Sequence, residues 1–431
     1  MSRADVFFRS IKDKKVAFLG IGVTNTDTIK LFLSKGVETS ACDKRSRADL
    51  GDVAADLEQL GARLRLGPDY LDGLDADIVF RTPGFYFHAP ALEALRRKGM
   101  VVTSEMEVFF DLCPCKTIAV TGSEGKTTTS TLIAEILKAQ GKTVHLGGNI
   151  GKALLPLVFT IAQEDWAVVE LSSFQLISMR PAPDISVITN ITPDHLDVHA
   201  SLDEYIDAKR HIYLHQNAFS RTVLNLDNPV TASFIPQVRG EAMTFSLTAP
   251  VEHGAYCMDG VLYRARRGRS ERVMDAADIR IPGTHNAANY LAALCATDGI
   301  ADTDQVRLVA GSFGGVEHRL EFVRELGGVR WYNDSIATAP VAVIAGLKAF
   351  DQKLILIAGG SDKNIPYEPL APELVQRVKL LILAGPTADK IEAAVKVHPD
   401  YNGDNPVILR VDDIPGAVAA ASQMAVPGDI V

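Results

Sequence analysis

The chain has 431 residues, too many for one hydrophobic core and, at roughly 150 residues per domain, suited to about three. It is 47% apolar and 23% charged with a formal net charge of −9, a balance that argues against a general nucleic-acid binder. No apolar run approaches the roughly 18 residues of a membrane span, the opening MSRADVFFRSIKDKK lacks a signal-peptide core, and five cysteines suit reduced thiols better than a disulfide framework. A cytoplasmic protein of enzyme size is expected.

The first segment opens with KKVAFLGIGVTN, a buried-strand pattern (Val16 to Leu19) that runs into Gly20 and Gly22 and then into a helix through Ile29 and Leu33. A second strand, VETSACD, ends at Asp43, about where a Rossmann unit places its ribose-binding acid. Asn25 replaces the third glycine of that fingerprint, which weakens a dinucleotide site. The strand ADIVFRTPG stops at Thr82-Pro83-Gly84, a turn at the strand end where α/β sheets bind ligands. CPCK at 113–116 reads as a hinge; its C-x-C is too sparse for zinc, so buried or idle thiols are expected.

The next segment, TIAVTGSEGKTTTSTLIAEIL (Thr117 to Leu137), carries the strongest chemistry. An apolar strand enters a glycine-bracketed turn and leaves through Lys126 and three threonines into a helical pattern. Such a turn aims backbone N–H groups and a helix N-terminus at one point, which suits a polyphosphate. Lys126 would reach the terminal phosphates and the Thr127 hydroxyl would ligate Mg²⁺. The common G-x-x-x-x-G-K-[ST] pattern has Val120 at its first glycine, so the loop is the rarer T-G-x-x-G-K-T. WAVVELSSFQL, ISVITNITPDHLDVH and RTVLNLDN follow as strands ending in polar clusters, and 241–281 reads as short β segments. GTHNAANYLAALCA begins a helix, and from Val316 the strands WYNDS, KLILIAGGS and KLLILAGPT alternate with helices. Domains are expected at 1–113, 114–315 and 316–431, all α/β.

Glu170 ends a strand beside the phosphate loop and could hold Mg²⁺ directly or through water. Asp194, His195, Asp197 and His199 crowd one loop. The H-x₃-H pair could suggest zinc, the oxygen-rich setting favours a hard cation, and a solvated loop is the plain alternative. Lys209, in YIDAKRHIY, reads as an exposed helical lysine. Arg319 suits stacking or a phosphate, and Asp334 ends a strand where a ribose or a Mg²⁺-bound water could be met.

In order along the whole chain, GIGVTN with Asp43, TPG, TGSEGKTTT, GGNIG (147–151), ELSSFQL (170–176), DHLDVH, YxxAK around Lys209, GTHNAANY, EHRLE, NDSIAT and PGDIV resemble the Mur ligase family. ELSSFQL resembles its glutamate-adding members most. The resemblance implies a Rossmann-like N-terminal domain for a UDP-sugar substrate, a P-loop ATPase-like central domain and a Rossmann-like C-terminal domain. It implies ATP and two Mg²⁺ as cofactors, ligation of D-glutamate to UDP-N-acetylmuramoyl-L-alanine, and a monomer without nucleic-acid or membrane partners. Gly122, Ser123, Glu124, Gly125, Lys126, Thr127 and Thr128, with Asn289, His318, Arg319 and Asp334, correspond to ATP contacts. Thr127, Glu170, His195 and a carbamylated Lys209 correspond to the metal site, and Lys126, Glu170, His195 and Lys209 to the catalytic set. Val23, Thr24, Asp43, Thr82 and Asn149 match UDP-sugar contacts; Thr338 and Lys363 match glutamate contacts.

Three departures stand out. Glu124 puts an anion in the loop and should point away from phosphate. Ile336 and Ala339 replace the Lys and Asn of NDSKATN. The chain also stops at Gly428-Asp429-Ile430-Val431, before a family segment that clamps glutamate, so a fragment with weakened glutamate binding is expected. The alternatives are an L-glutamate-adding or other amino-acid-adding relative, an inactive nucleotide-binding relative and, on GIGVTN and Asp43 alone, an NAD-dependent dehydrogenase.

Overall fold

The structure, a computed structural model, describes all residues except 194–197, 339, 363 and 364, and only the backbone of Val23, Thr24 and Val341. The chain packs as two compact units, residues 1–276 with 288–309, and residues 277–287 with 310–431.

In the first unit β1 (Lys15–Leu19), β2 (Glu38–Asp43), β3 (Arg63–Leu66), β4 (Ile78–Arg81) and β5 (Val101–Ser104) form a parallel sheet in the order β3-β2-β1-β4-β5. Val16 to Leu19 are all buried, because helices cover both faces of a parallel sheet and leave no wet face for alternating polar residues. The helix Val23–Ser34 lays Ile29 and Phe32 on that sheet. Phe18 and Phe80 stack with centroids 4.6 Å apart, and Phe32 meets both edge-on at 5.2 and 5.1 Å. Truncating one such buried ring costs about 3–5 kcal/mol. The strand order reverses between β1 and β4, so their carboxyl ends open a crevice at Gly20–Gly22 and Thr82–Gly84.

A second sheet in the same unit contains β6 (Lys116–Thr121), β7 (Val144–Gly148), β8 (Trp166–Glu170), β9 (Ile185–Ile188), β10 (Arg221–Asn225), β11 (Glu241–Ser246), β12 (Gly254–Met258), β13 (Val261–Arg266) and β14 (Arg269–Asp275). Its order is β14-β13-β12-β11-β10-β9-β6-β8-β7, parallel from β7 to β12 and antiparallel at the β12-β13-β14 edge. Here the reversal falls at β6, between β8 and β9, so the loops after those three strands meet at one place. One apolar core joins the two sheets' helices, from Phe8 and Phe32 to Leu155, Leu171 and Leu176. Cys113 and Cys115 are buried in it as free thiols, their sulfurs 3.5 Å apart.

In the second unit β17 (Leu354–Gly359), β18 (Val378–Ala384) and β19 (Val407–Arg410) are parallel. The WYN strand does not join them as its alternation with helices suggested. As β16 (Val329–Asn333) it pairs antiparallel with β15 (Glu321–Leu326). The cause is local: Gly327 and Gly328 have φ of +60° and +77°, which closes a two-residue hairpin whose twist suits the strands. Residues 429–431 then bridge the ribbon to β17, since Asp429 O accepts from Arg330 N, Val431 O from Tyr332 N and Ile430 O from Ile355 N. Among the described residues no helix is long and apolar enough to cross a membrane.

Candidate active site

The crevice between β1 and β4 is a cavity of about 550 Å³, lined among others by Gly20, Gly22, Asp43, Lys44, Tyr70 and Tyr86. Gly20 has φ +92°, and a Cβ there would lie 2.4 Å from Thr82 Cγ2, so only glycine lets the two strand ends approach. Asn25, where the dinucleotide fingerprint has glycine, is buried and donates its amide to Leu19 O at 3.3 Å and Gly20 O at 2.9 Å. Asp43 is also committed. One carboxylate oxygen accepts from Ile21 N and Arg45 Nη2, and the other from Arg45 N and Nε, all within 2.7–3.0 Å. Burial pushes the Asp43 carboxyl up, but these bonds outweigh it and hold it at about 2. Asp43 thus braces the turn while it lines the cavity. Thr82 lines the cavity, its hydroxyl accepting from Gly84 N; the side chains of Val23 and Thr24 lie outside the description.

The phosphate loop runs from β6 into the helix Lys126–Ala139. Gly122 (φ +153°) could carry no Cβ, which would fall 1.9 Å from Thr189 Oγ1, and at Gly125 (φ +78°) it would fall 2.5 Å from Asn289 Oδ1. The end of β9 holds the loop: Ser123 N donates to Asn190 O, Glu124 N to Asn190 Oδ1, and Thr189 Oγ1 to Glu124 O. The Ser123 hydroxyl donates to Thr192 O at 2.8 Å, accepts from Thr192 N at 2.9 Å and lies 2.8 Å from the Tyr205 hydroxyl, so it ties the loop to the segment after β9 and to the helix Leu202–Leu214. Gly125 supplies no side-chain cap to the helix, and the first N–H groups of an α-helix have no partner within it. Lys126 Nζ donates to Ser123 O at 2.8 Å; Thr127 is half-buried, Thr128 buried and Glu124 exposed.

Beside the loop, Glu170 lies in register with Val120 and is 1% exposed. Its Oε1 accepts from Asn149 Nδ2 at 3.0 Å, while Oε2 has no partner among the described residues. A buried carboxylate oxygen left bare is costly, and a hard cation is the natural partner for it. Asn149, which the resemblance assigned to the UDP-sugar, is thus also the brace of Glu170. Lys209 is not the exposed lysine its sequence suggested: it is 2% exposed, and Nζ donates to Gly122 O at 2.7 Å. Tyr205, Ala208, Lys209 and Ile212 form the buried face of the helix Leu202–Leu214, a 3–4 residue stripe against the loop. The ammonium also lies 4.6 Å from the Tyr205 ring centroid.

His195, with Asp194 and Asp197, lies outside the described residues. His199 is no half of a zinc pair. It stacks on Phe174, Nδ1 meets Glu204 Oε1 and Nε2 meets Ser173 Oγ, both at 2.9 Å, so both ring nitrogens are taken. Among the described residues no three His, Cys, Asp or Glu side chains are grouped to hold a metal. Sequence reading missed Tyr86, Ser173, Tyr205 and Glu204. The only available signal was their place inside or beside quoted motifs.

In the second unit Asp334 accepts from Leu320 N at 3.0 Å; burial raises its carboxyl, against that N–H and Arg319. A Cβ on Gly346 would lie 2.8 Å from Asp334 Oδ2. His318 and Leu320 have φ of +65° and +41°, backbone strain flanking Arg319. His318 Nδ1 lies 2.8 Å from Asn333 Nδ2. Burial and then Arg319 lower the pKa of His285. Thr338 N donates to Ile336 O, Ile336 is exposed, and Lys363 lies outside the described residues. Asn289 belongs to the first unit, beside Gly125.

A parallel α/β sheet with a phosphate loop at its reversal point, flanked by a buried acid with one oxygen unpartnered among the described residues, defines a phosphate-loop protein. The Mur ligase middle domain matches residues 120–297, and the glutamate ligase domain of Mur ligases matches 318–431. The chain is 46% identical over 430 residues to UDP-N-acetylmuramoylalanine--D-glutamate ligase of Acetivibrio thermocellus, covering 99% of this chain and 92% of that one. It is 43% identical to the enzyme of that name from Ruminiclostridium cellulolyticum, covering 100% and 93%. Among solved structures, UDP-N-acetylmuramate-alanine ligase from Thermotoga maritima shares the fold at TM-score 0.59 and 19% identity, covering 97% of this chain and 94% of that one. A pseudomurein peptide ligase type C from Methanothermus fervidus does so at 0.56 and 20%, covering 97% and 96%. The chain belongs to the Mur ligase family.

Proposed function

We propose that this protein is an ATP-dependent amide ligase that adds D-glutamate to UDP-N-acetylmuramoyl-L-alanine in peptidoglycan precursor synthesis. Identity above 40% over nearly the whole length of enzymes with that name supports the reaction. The observation that carries the site is the meeting of Lys126, the bare oxygen of Glu170 and buried Lys209 around one loop.

In this reading residues 1–113 hold the UDP-sugar, in the β1/β4 crevice with Val23, Thr24, Asp43 and Thr82 at its rim. Residues 114–315 hold the ATP phosphates, and residues 316–431 the glutamate and the rest of ATP. The loop N–H groups and Lys126 hold the terminal phosphates. The substrate carboxylate attacks the γ-phosphorus, releasing ADP and leaving an acyl phosphate. The glutamate amine then attacks that carbonyl, and the tetrahedral adduct collapses to amide and phosphate. No side chain bonds to substrate, so catalysis is positioning and charge stabilisation. Thr127, Glu170, His195 and Lys209 would hold two Mg²⁺, which when bound supply charge neutralisation at the transferring group. Lys209 serves there as a carbamate, which replaces an ammonium by a carboxylate and keeps one N–H for Gly122 O. Asn289, His318, Arg319 and Asp334 contact the nucleotide, and Thr338 and Lys363 the glutamate. The enzyme is read as cytoplasmic and monomeric.

Phosphate release from ATP and Mg²⁺ with UDP-N-acetylmuramoyl-L-alanine tests this. Release is expected with D-glutamate and not with L-glutamate or without amino acid. Release with L-glutamate alone assigns the other stereochemistry, and none under any condition makes the chain an inactive relative.

A further inference from the structure

The N-terminal crevice and the phosphate loop lie on different sheets, yet a line of hydrogen bonds runs from the crevice to the segment that follows β8. Tyr86, whose ring lines the crevice, donates to Glu204 Oε2 at 2.7 Å. The other oxygen, Glu204 Oε1, meets His199 Nδ1 at 2.9 Å. With a carboxylate as acceptor the ring proton belongs on Nδ1, which leaves Nε2 to accept from the Ser173 hydroxyl at 2.9 Å. Every donor in the line thus faces an acceptor. His199 and Ser173 are almost fully buried, so a broken link would leave a polar group dry.

Two links of the line, Ser173 and Glu204, lie on the segments that carry catalytic positions. Ser173 begins the helix Ser173–Leu176, three residues beyond Glu170, and Arg81 holds that same turn by donating to Phe174 O and Ser178 Oγ. Glu204 precedes Tyr205, whose hydroxyl meets Ser123 of the loop, and Lys209 lies on the same helix face one turn after Tyr205. We propose that Tyr86, Glu204, His199 and Ser173 are positioning residues, a relay that aligns Glu170 and Lys209 when substrate fills the crevice and orders Tyr86. The inference rests on the functional reading above, with the UDP-sugar in that crevice. It differs from the family metal site because none of the four residues is among those assigned to the phosphates, Mg²⁺ or glutamate.

Tyr86→Phe keeps the ring against the crevice and removes only the donated bond; Glu204→Gln and Ser173→Ala interrupt the line elsewhere. Each is expected to lower kcat about ten-fold and to raise the Mg²⁺ concentration for half-maximal rate several-fold. Calorimetric affinity for UDP-N-acetylmuramoyl-L-alanine should stay within three-fold and the Tm within a few degrees. The double variant Tyr86→Phe/Glu204→Gln should be no slower than Glu204→Gln alone, the signature of one shared pathway. Lys35→Ala, which removes a contact outside the line (Lys35 over Phe159, 3.5 Å), should leave kcat unchanged. A kcat within two-fold of wild type in Tyr86→Phe, or multiplicative losses in the double variant, overturns the relay while the functional reading stands. A wild-type protein that neither binds nor turns over the UDP-sugar overturns both.

Discussion

Two strand–glycine turn–helix corners of the first unit look alike in sequence and differ in what they leave open. At β1 the corner is filled by its own side chains: the Asn25 amide takes the strand-end carbonyls, and Asp43 is saturated by Ile21 N and Arg45. At β6 the helix start has no side-chain cap either, but it opens on Lys126, and Ser123, Thr189 and Asn190 bind the loop to the strand end beside it. The first corner shapes a cavity wall, and the second presents a cation and backbone N–H groups. A glycine-bracketed turn therefore specifies backbone shape, and the side chains placed in and around it decide what chemistry it offers.

The comparison breaks most directly at Lys126. Lys126→Ala is expected to lower kcat by roughly 10²–10³-fold, the usual effect of removing one preorganised charge donor; a loss under ten-fold would show that the loop is not the phosphate site. Lys209→Ala should cost about 10²-fold, and added acetate should partly restore the rate if a carbamate is the working form. Unmodified lysine in the active enzyme, seen by mass spectrometry under CO₂ or by crystallography with Mg²⁺, would count against this.

The first corner should respond in stability. Gly20→Ala forces a Cβ onto Thr82 at a positive φ, and a loss of about 1–3 kcal/mol is expected in denaturant unfolding. Asp43→Asn removes an acceptor whose pKa is depressed to about 2. A depressed carboxylate stabilises above its unfolded pKa, near 4, and loses that effect as pH falls through its folded value. The difference between wild type and Asp43→Asn should be about 2 kcal/mol at pH 7 and shrink between roughly pH 4 and 2; a pH-independent difference would point to lost packing instead. The smallest effect belongs to Glu124→Asn. This exposed anion lies in solvent, and its removal should lower the KM for ATP by no more than about three-fold.

By itself the sequence determined the parallel α/β framework, the loop T-G-x-x-G-K-T and the strand-end position of Glu170, because these depend on local periodicity and on glycine at fixed offsets. It also carried the family motifs in order. Only the tertiary structure decided the fate of side chains whose partners lie far along the chain. Lys209 read as solvated until its helix face was found over Gly122, 87 positions earlier. His199 belonged to an H-x₃-H pair that could suggest zinc until Ser173 and Glu204 took both its nitrogens. The WYN strand read as one of three strands alternating with helices until the Gly327–Gly328 turn folded it onto β15. Periodicity reports which face of an element is apolar. Whether a polar group on that face meets water, a carbonyl or a cation depends on what packs against it, and that is a property of the assembled fold.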